Sequence, residues 1–337
     1  MTKMRVCVVG DFSGVADEGM KNTARYFAQA LQNQGVKVKC ADVTDVFQLS
    51  FVSGIREFDP DIIHYVPGIG MKNLFLMALL KKITGAKAVI SAIHPKFIPE
   101  NRIFLNAVEP DLVFTQNKSG ETPYDAAGWN TEFLANGVDI ERFTPLSGEE
   151  RLEARSRFDF EPDQYIVLHV GHLTAKRGLE ALIDLQKTID QAQVIIAASD
   201  HFETKTDLVK RLNAAGCRIV EGYVPNIEEL YAAADCYVFP TQAGDTIQTP
   251  LSVLEAMACN LPVVTLRHPG IAELFDPGDG FHLCESAEDI IESVAAIKSH
   301  PPESSTRLKV KKCSWDVIAE NAVEQYQAIF RKRSGTL

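Results

Sequence analysis

Arg5-Val6-Cys7-Val8-Val9-Gly10 is an apolar run that closes on glycine, and Tyr165-Ile166-Val167-Leu168-His169-Val170-Gly171 repeats the pattern in the second half of the chain. Such a run, with little alternation of polar and apolar positions, suits a strand covered on both faces, as parallel sheets require. Outward from the first run, residues 22–34 place Ala24, Phe27, Ala28 and Leu31 at helical spacing and stop before Gly35, where a helix can end. Strands are then predicted at 36–41, 61–66, 87–93 and 112–116, with a helix over 73–83. After the second run come a helix at 179–188, strands at 193–198 and 217–221, a helix at 227–234, a strand at 236–239, a helix at 252–259 and a strand at 262–266. A last helix is expected over 315–330, with Val317, Ile318, Ala322, Val323, Tyr326 and Phe330 on its apolar side.

Strands alternating with helices imply parallel crossovers, so the predicted class is α/β: two Rossmann-like doubly wound parallel-sheet domains facing across a cleft. The length of 337 residues agrees with two domains at about 150 residues each. The expected boundaries are 1–148, 149–313 and a terminal helix at 314–332 that crosses back to the first domain. The polar stretch 145–153 reads as the connection. A net charge of −11 argues against nucleic acid as a partner. Seven cysteines without a Cys-x-x-Cys pair read as buried free thiols of a reducing, cytoplasmic compartment. Neither a leader peptide nor a membrane span is expected. Residues 71–87, with Leu74, Phe75, Leu76, Met77, Leu79 and Leu80 among Lys72, Lys81, Lys82 and Lys87, have two readings: a buried helix, or a peripheral contact with an anionic bilayer on its inner face.

Three segments carry chemistry. Gly10-Asp11-Phe12-Ser13-Gly14, before a helix that opens near Gly19, is a glycine turn that lets a ligand approach backbone. It lacks the Gly-x-Gly-x-x-Gly spacing that would make Asp42 a ribose ligand of a dinucleotide. Gly171-His172-Leu173-Thr174-Ala175-Lys176-Arg177-Gly178 puts two cations at an expected helix start, which suits the helix dipole only if an anion such as a diphosphate sits there. Pro250-Leu251-Ser252-Val253-Leu254-Glu255-Ala256-Met257-Ala258 places a carboxylate on an apolar helix, where it needs hydrogen-bond donors such as ribose hydroxyls.

In this order and spacing, these segments resemble family 4 glycosyltransferases, retaining nucleotide-sugar enzymes of the GT-B architecture. Asn136-Gly137-Val138-Asp139, Gly270-Ile271-Ala272-Glu273 and Ser314-Trp315 extend the resemblance over nearly the whole chain. It implies an acceptor domain followed by a donor domain, with Glu255 on the donor ribose and Arg177 or Lys176 on the diphosphate. Further implied contacts are His172 and Gly171 nearby, Gly14 and Gly19 in the first-domain loop, His94 toward the donor sugar, and Gln248, Thr249, Pro250 and Leu251 presenting backbone to phosphates and sugar. Ile247 stands where the family has the first glutamate of Glu-x7-Glu, which leaves Asp245 as a candidate substitute.

The resemblance implies transfer from a UDP-, GDP- or ADP-sugar to an acceptor hydroxyl on a sugar, a lipid-linked molecule or a small molecule, with no cofactor. No cluster has metal-ligand spacing, so a metal-free mechanism is expected. The alternative is a degenerate GT-B protein that binds a nucleotide or nucleotide sugar and serves as a partner or regulatory subunit, motivated by Ile247. His64 and His268 read as structural residues at strand ends.

Overall fold

The computed structural model describes residues 3–12, 19–93, 102–116, 123–198, 206–242 and 247–331. The chain divides into two compact units. Met1–Gly137, Ile247–Thr249 and Cys313–Leu337 form the first; Val138–Thr246 and Pro250–Lys312 form the second. The first unit thus ends earlier than residue 148, and it includes the terminal helix.

The first unit is a six-stranded parallel sheet in the order β2-β1-β3-β4-β5-β6. The strands are β1 (Arg5–Gly10), β2 (Lys37–Asp42), β3 (Ile62–Tyr65), β4 (Lys87–Ala92), β5 (Leu112–Thr115) and β6 (Thr131–Phe133). They alternate with α1 (Gly19–Asn33), α2 (Leu49–Phe58), α3 (Met71–Thr84), α4 (Arg102–Ala107) and α5 (Pro123–Ala126). Val6, Cys7, Val8 and Val9 have no solvent exposure, as two-sided coverage requires.

His64, at the middle of this sheet, is structural. Its Nδ1 lies 2.6 Å from the Tyr326 hydroxyl and its Nε2 lies 2.8 Å from Ser91 Oγ. Burial pushes the imidazole down to about 3, so it is neutral and both nitrogens are partnered. Tyr326 comes from the terminal helix, which packs on α1. The close seating of that helix depends on Gly137, because a Cβ there would stand 2.3 Å from the Trp315 ring.

The second unit is another six-stranded parallel sheet, in the order β12-β11-β10-β7-β8-β9. Its strands are β7 (Tyr165–Val170), β8 (Ala192–Ala198), β9 (Arg218–Glu221), β10 (Cys236–Phe239), β11 (Val263–Leu266) and β12 (Phe281–Cys284). Its helices are α6 (Gly148–Arg157), α7 (Glu180–Thr188), α8 (Thr206–Ala214), α9 (Ile227–Ala233), α10 (Leu251–Ala258), α11 (Pro269–Ala272), α12 (Ala287–Ser299) and α13 (Thr306–Val310). The terminal helix of the first unit is α14 (Trp315–Arg331).

The expected connection at 145–153 is instead largely helix α6. Its signal is a capping box, with Ser147 Oγ accepting from Glu150 N–H and Glu150 from Ser147 N–H. Arg155 anchors that helix from the core, donating to the Ala233 carbonyl at 2.9 Å and pairing with Asp235. One cysteine departs from the buried reading: Cys40 is exposed.

Unfolded His64 takes a proton near its ordinary value of about 6.5, whereas the folded residue resists it until about 3. Its contribution to stability is therefore present above the unfolded pKa and is lost as pH falls from there toward 3. His64→Gln is expected to flatten the acid limb of the melting temperature against pH. Tyr326→Phe, which strips the ring of one partner, should cost about 1–3 kcal/mol in urea unfolding.

Candidate functional site

In the second sheet the chain runs from β7 outward to β8 and β9, then crosses back to β10 on the other side of β7. The carboxyl ends of β7 and β10 are thus the point at which the winding reverses, where doubly wound sheets hold ligands. The loops leaving those two strands are stitched together. Thr241 Oγ1 donates to the Arg177 carbonyl at 3.2 Å. Gly178 has a positive φ of 66°, and a Cβ there would meet the Pro240 carbonyl oxygen at 2.4 Å, so only glycine brings the loops this close.

Arg177 sits in this seam, in the 3-10 turn Ala175–Arg177. Its half-buried guanidinium makes no hydrogen bond or ion pair with the described residues. Burial lowers its pKa, and a guanidinium still stays charged. Two buried histidines lie in its field. His169 is pushed down to about 4 by burial, with the Arg177 charge adding to the effect, and His268 is lowered to about 4 for the same two reasons. Both are neutral at pH 7. His169 Nδ1 lies 2.9 Å from the Val238 carbonyl and must donate to it, which leaves Nε2 as an unpartnered buried acceptor.

Glu255 approaches the same region from α10. It accepts a hydrogen bond from the Tyr231 hydroxyl at 2.8 Å. Burial pushes its carboxyl up to about 7, opposed by that bond and by Arg142. Arg142 itself is paired to Glu228 at 2.7 Å. Tyr237 of β10 feels the charges of both Glu255 and Arg177, and its buried hydroxyl donates to the Val170 carbonyl at 3.4 Å. A cation and an acid thus both act electrostatically on one buried tyrosine of β10.

Residues 150–312 match the family model of glycosyl transferases group 1. The matched stretch is just under half of the chain and is similar to a group 1 glycosyltransferase domain. A sulfoquinovosyl transferase of Arabidopsis thaliana is 27% identical over 68% of this chain and 49% of its own length. A GDP-mannose-dependent monoacylated phosphatidylinositol monomannoside mannosyltransferase of Corynebacterium glutamicum is 26% identical over 61% of this chain and 59% of its own. The chain therefore spans about half to three-fifths of these relatives. Among solved structures, Anabaena HepE with UDP and glucose superposes with a TM-score of 0.72 at 18% identity, covering 96% of this chain and all of that one. A Rickettsia africae glycosyltransferase gives 0.77 at 14% identity, covering 98% and 99%. The fold is GT-B.

Within the matched stretch, several expected residues stand elsewhere in the local structure than the sequence suggested. Lys176 and Arg177 precede the helix rather than open it, since α7 starts at Glu180; Lys176 is exposed. Glu255 lies in the second turn of α10, and Pro250 is that helix's N-cap residue, with Leu251 its first residue. Gly171 donates its N–H to the Ala197 carbonyl at 3.0 Å, and His172 beside it is half-buried.

Gln248 and Thr249 belong to the first unit, where their amides are already used: Gln248 N–H donates to the Ile93 carbonyl at 3.3 Å and Thr249 N–H to Gln116 Oε1 at 3.1 Å. Asn136 closes the ring, accepting from Gln116 at 2.8 Å and donating to the Thr249 carbonyl at 2.8 Å. Both amides thus have partners within the first unit. Gly19 is the first residue of α1. Gly14, His94 and Asp245 lie outside the described residues. Asp42 holds a turn, accepting from the N–H groups of Phe12 and Thr44.

His169, Tyr231 and Tyr237, which sequence reasoning did not single out, are brought close to the candidate groups in the fold, and His268, read there as a structural strand-end residue, lies in the field of Arg177. Only the doubled histidine of His169-Val170-Gly171-His172 marked the place.

The Glu255 carboxyl keeps its proton in the folded chain up to about 7, whereas the unfolded chain releases it near 4.3. Its protonated form therefore favours folding at low pH, and that contribution is lost as pH rises through this window. Glu255→Gln, which has no proton to lose, should gain about 2 kcal/mol on the natural protein between pH 5 and 8, measured by urea unfolding. A constant difference would show that the carboxyl does not titrate there.

Proposed function

We propose that this chain transfers a sugar from a nucleoside diphosphate sugar to an acceptor hydroxyl, retaining the anomeric configuration and using no metal. The observation that carries the proposal is Arg177: a half-buried cation with no hydrogen bond or ion pair to the described residues, at the winding reversal of a group 1 domain. A guanidinium in that position is prepared for an anion from outside the chain. Two neutral histidines beside it add no competing charge.

When the bond between the sugar and the diphosphate breaks, negative charge grows on the leaving oxygens. Arg177 supplies fixed positive charge there without reorganisation. In the retaining route, the acceptor hydroxyl attacks from the face the diphosphate leaves, and a leaving phosphate oxygen takes the hydroxyl proton. That route needs no protein base, which suits a site whose described carboxyl, Glu255, is engaged by Tyr231. Glu255 is assigned to the ribose, whose hydroxyls would donate to the carboxylate and draw its pKa back down. The donor is a UDP-, GDP- or ADP-sugar. HepE is solved with UDP and glucose, and the Corynebacterium relative is named for GDP-mannose.

A panel of nucleotide sugars in a thermal-shift experiment identifies the donor, because a bound ligand raises the melting temperature. Incubation with that donor and candidate acceptors should then release nucleoside diphosphate. Arg177→Ala is expected to lower kcat by about 100- to 1000-fold with a smaller loss of nucleotide affinity; equal losses would remove it from the leaving-group role. Glu255→Ala should weaken nucleoside diphosphate binding by about 1.5–3 kcal/mol in calorimetry. Binding of a nucleotide sugar that stays intact in the presence of cell extract would instead favour a regulatory binding protein, the reading that Ile247 motivates.

A further inference from the structure

Helix α3 of the first unit is apolar on two sides. Leu74, Met77 and Leu80 are buried in the core beneath it. Met71, Phe75 and Leu79, spaced four residues apart, form a second stripe that is 41%, 55% and 52% exposed. A helix with one buried face ordinarily turns polar residues outward, and core packing does not account for this stripe. The polar residues on the outer face are cationic: Lys72 and Lys82 are exposed, while Lys81 is held by Asp111 at 2.9 Å. The helix contains no Asp or Glu, in a chain of net charge −11.

The neighbouring segment continues the pattern. Helix α2 packs beside α3, and Phe47 and Leu49 at its start are 98% and 92% exposed. Because β2 and β3 run parallel within one sheet, the helices that follow them start at the same edge, so Phe47, Leu49 and Met71 share that edge. Five of the nine large hydrophobic side chains exposed among the described residues fall between residues 47 and 79, so the apolar surface is concentrated rather than scattered.

We propose that this face of the first unit docks on an anionic lipid bilayer, with α3 lying in the interface. The apolar stripe would enter the boundary between headgroups and acyl chains, while Lys72 and Lys82 reach lipid phosphates. Charge selects this occupant. A second copy of the chain pairing through the same face would set its lysines against identical lysines, whereas an anionic bilayer satisfies the stripe and the cations together. The inference stands apart from sugar transfer, because its readout needs no nucleotide sugar.

The test is flotation of the full chain with vesicles of phosphatidylcholine and phosphatidylglycerol in equal parts, against phosphatidylcholine alone. The natural protein is expected to float with the anionic vesicles and to be released by salt. Lys72→Gln with Lys82→Gln should lower partitioning by about tenfold or more, and Met71→Ser with Leu79→Ser by about tenfold. Since these side chains are exposed, the melting temperature and nucleotide binding of both variants should match the natural protein, which separates this result from any failure of the transfer reading. Three outcomes would overturn the proposal: no flotation on anionic vesicles, flotation unchanged in both double variants, or a concentration-dependent dimer abolished by the Met71 and Leu79 substitutions.

Discussion

A guanidinium cannot shed its charge, and it tolerates partial burial only when something compensates it. In the second unit the groups around Arg177 do not: His169 and His268 are neutral and the hydroxyl of Tyr237 is spent on other partners. No other described residue supplies a hydrogen bond or ion pair to it. The winding of the sheet places this charge, because β7 and β10 are neighbours that the chain reaches far apart in sequence. The loops after them meet closely enough to hold the arginine only because Gly178 has no side chain. The proposed anion site rests on this charge, which no described residue pairs.

Glu255 obeys the complementary rule. A carboxyl surrounded by Tyr231, Tyr237 and an apolar helix is costly to ionise, so it holds its proton nearly to neutrality. Hydroxyl donors would favour the ionised form, which couples ligand binding to release of a proton. In the first unit the polar interior serves structure. The ring of Gln116, Asn136 and Thr249 satisfies buried amides and fixes residues 247–249 in that unit, and His64 joins the sheet to α14 through Tyr326.

Long apolar strands and helices with a clear buried side were legible from residue types. The central strands β1, β3, β4, β7, β10 and β11 fall at or within a residue or two of their expected positions. What escaped were elements at the margins. β6 has only three residues, none of them buried, and β12 buries only its first and last residues; both lie at sheet edges, so neither carries the continuous apolar run of the central strands. Helices α6 and α12 are announced by capping boxes, Ser147 with Glu150 and Ser286 with Asp289, a local signal that apolar periodicity passes over. The outer stripe of α3 was visible as apolar residues among lysines, but which of them face water was not.

Local sequence alone determined the alternation of strand and helix, the two-unit plan and the identity of the charged residues available for chemistry, because these depend on propensity and on periodicity along a few neighbouring positions. Tertiary structure decided whether a given charge meets a partner. Among the described residues Arg177 has no hydrogen-bond or ion-pair partner while Arg155 is fully engaged, and the Gln248 and Thr249 amides are consumed by groups distant in the chain. Desolvation and hydrogen bonding act through space, so the chemical state of each candidate residue is set by whichever segments the sheet topology brings beside it.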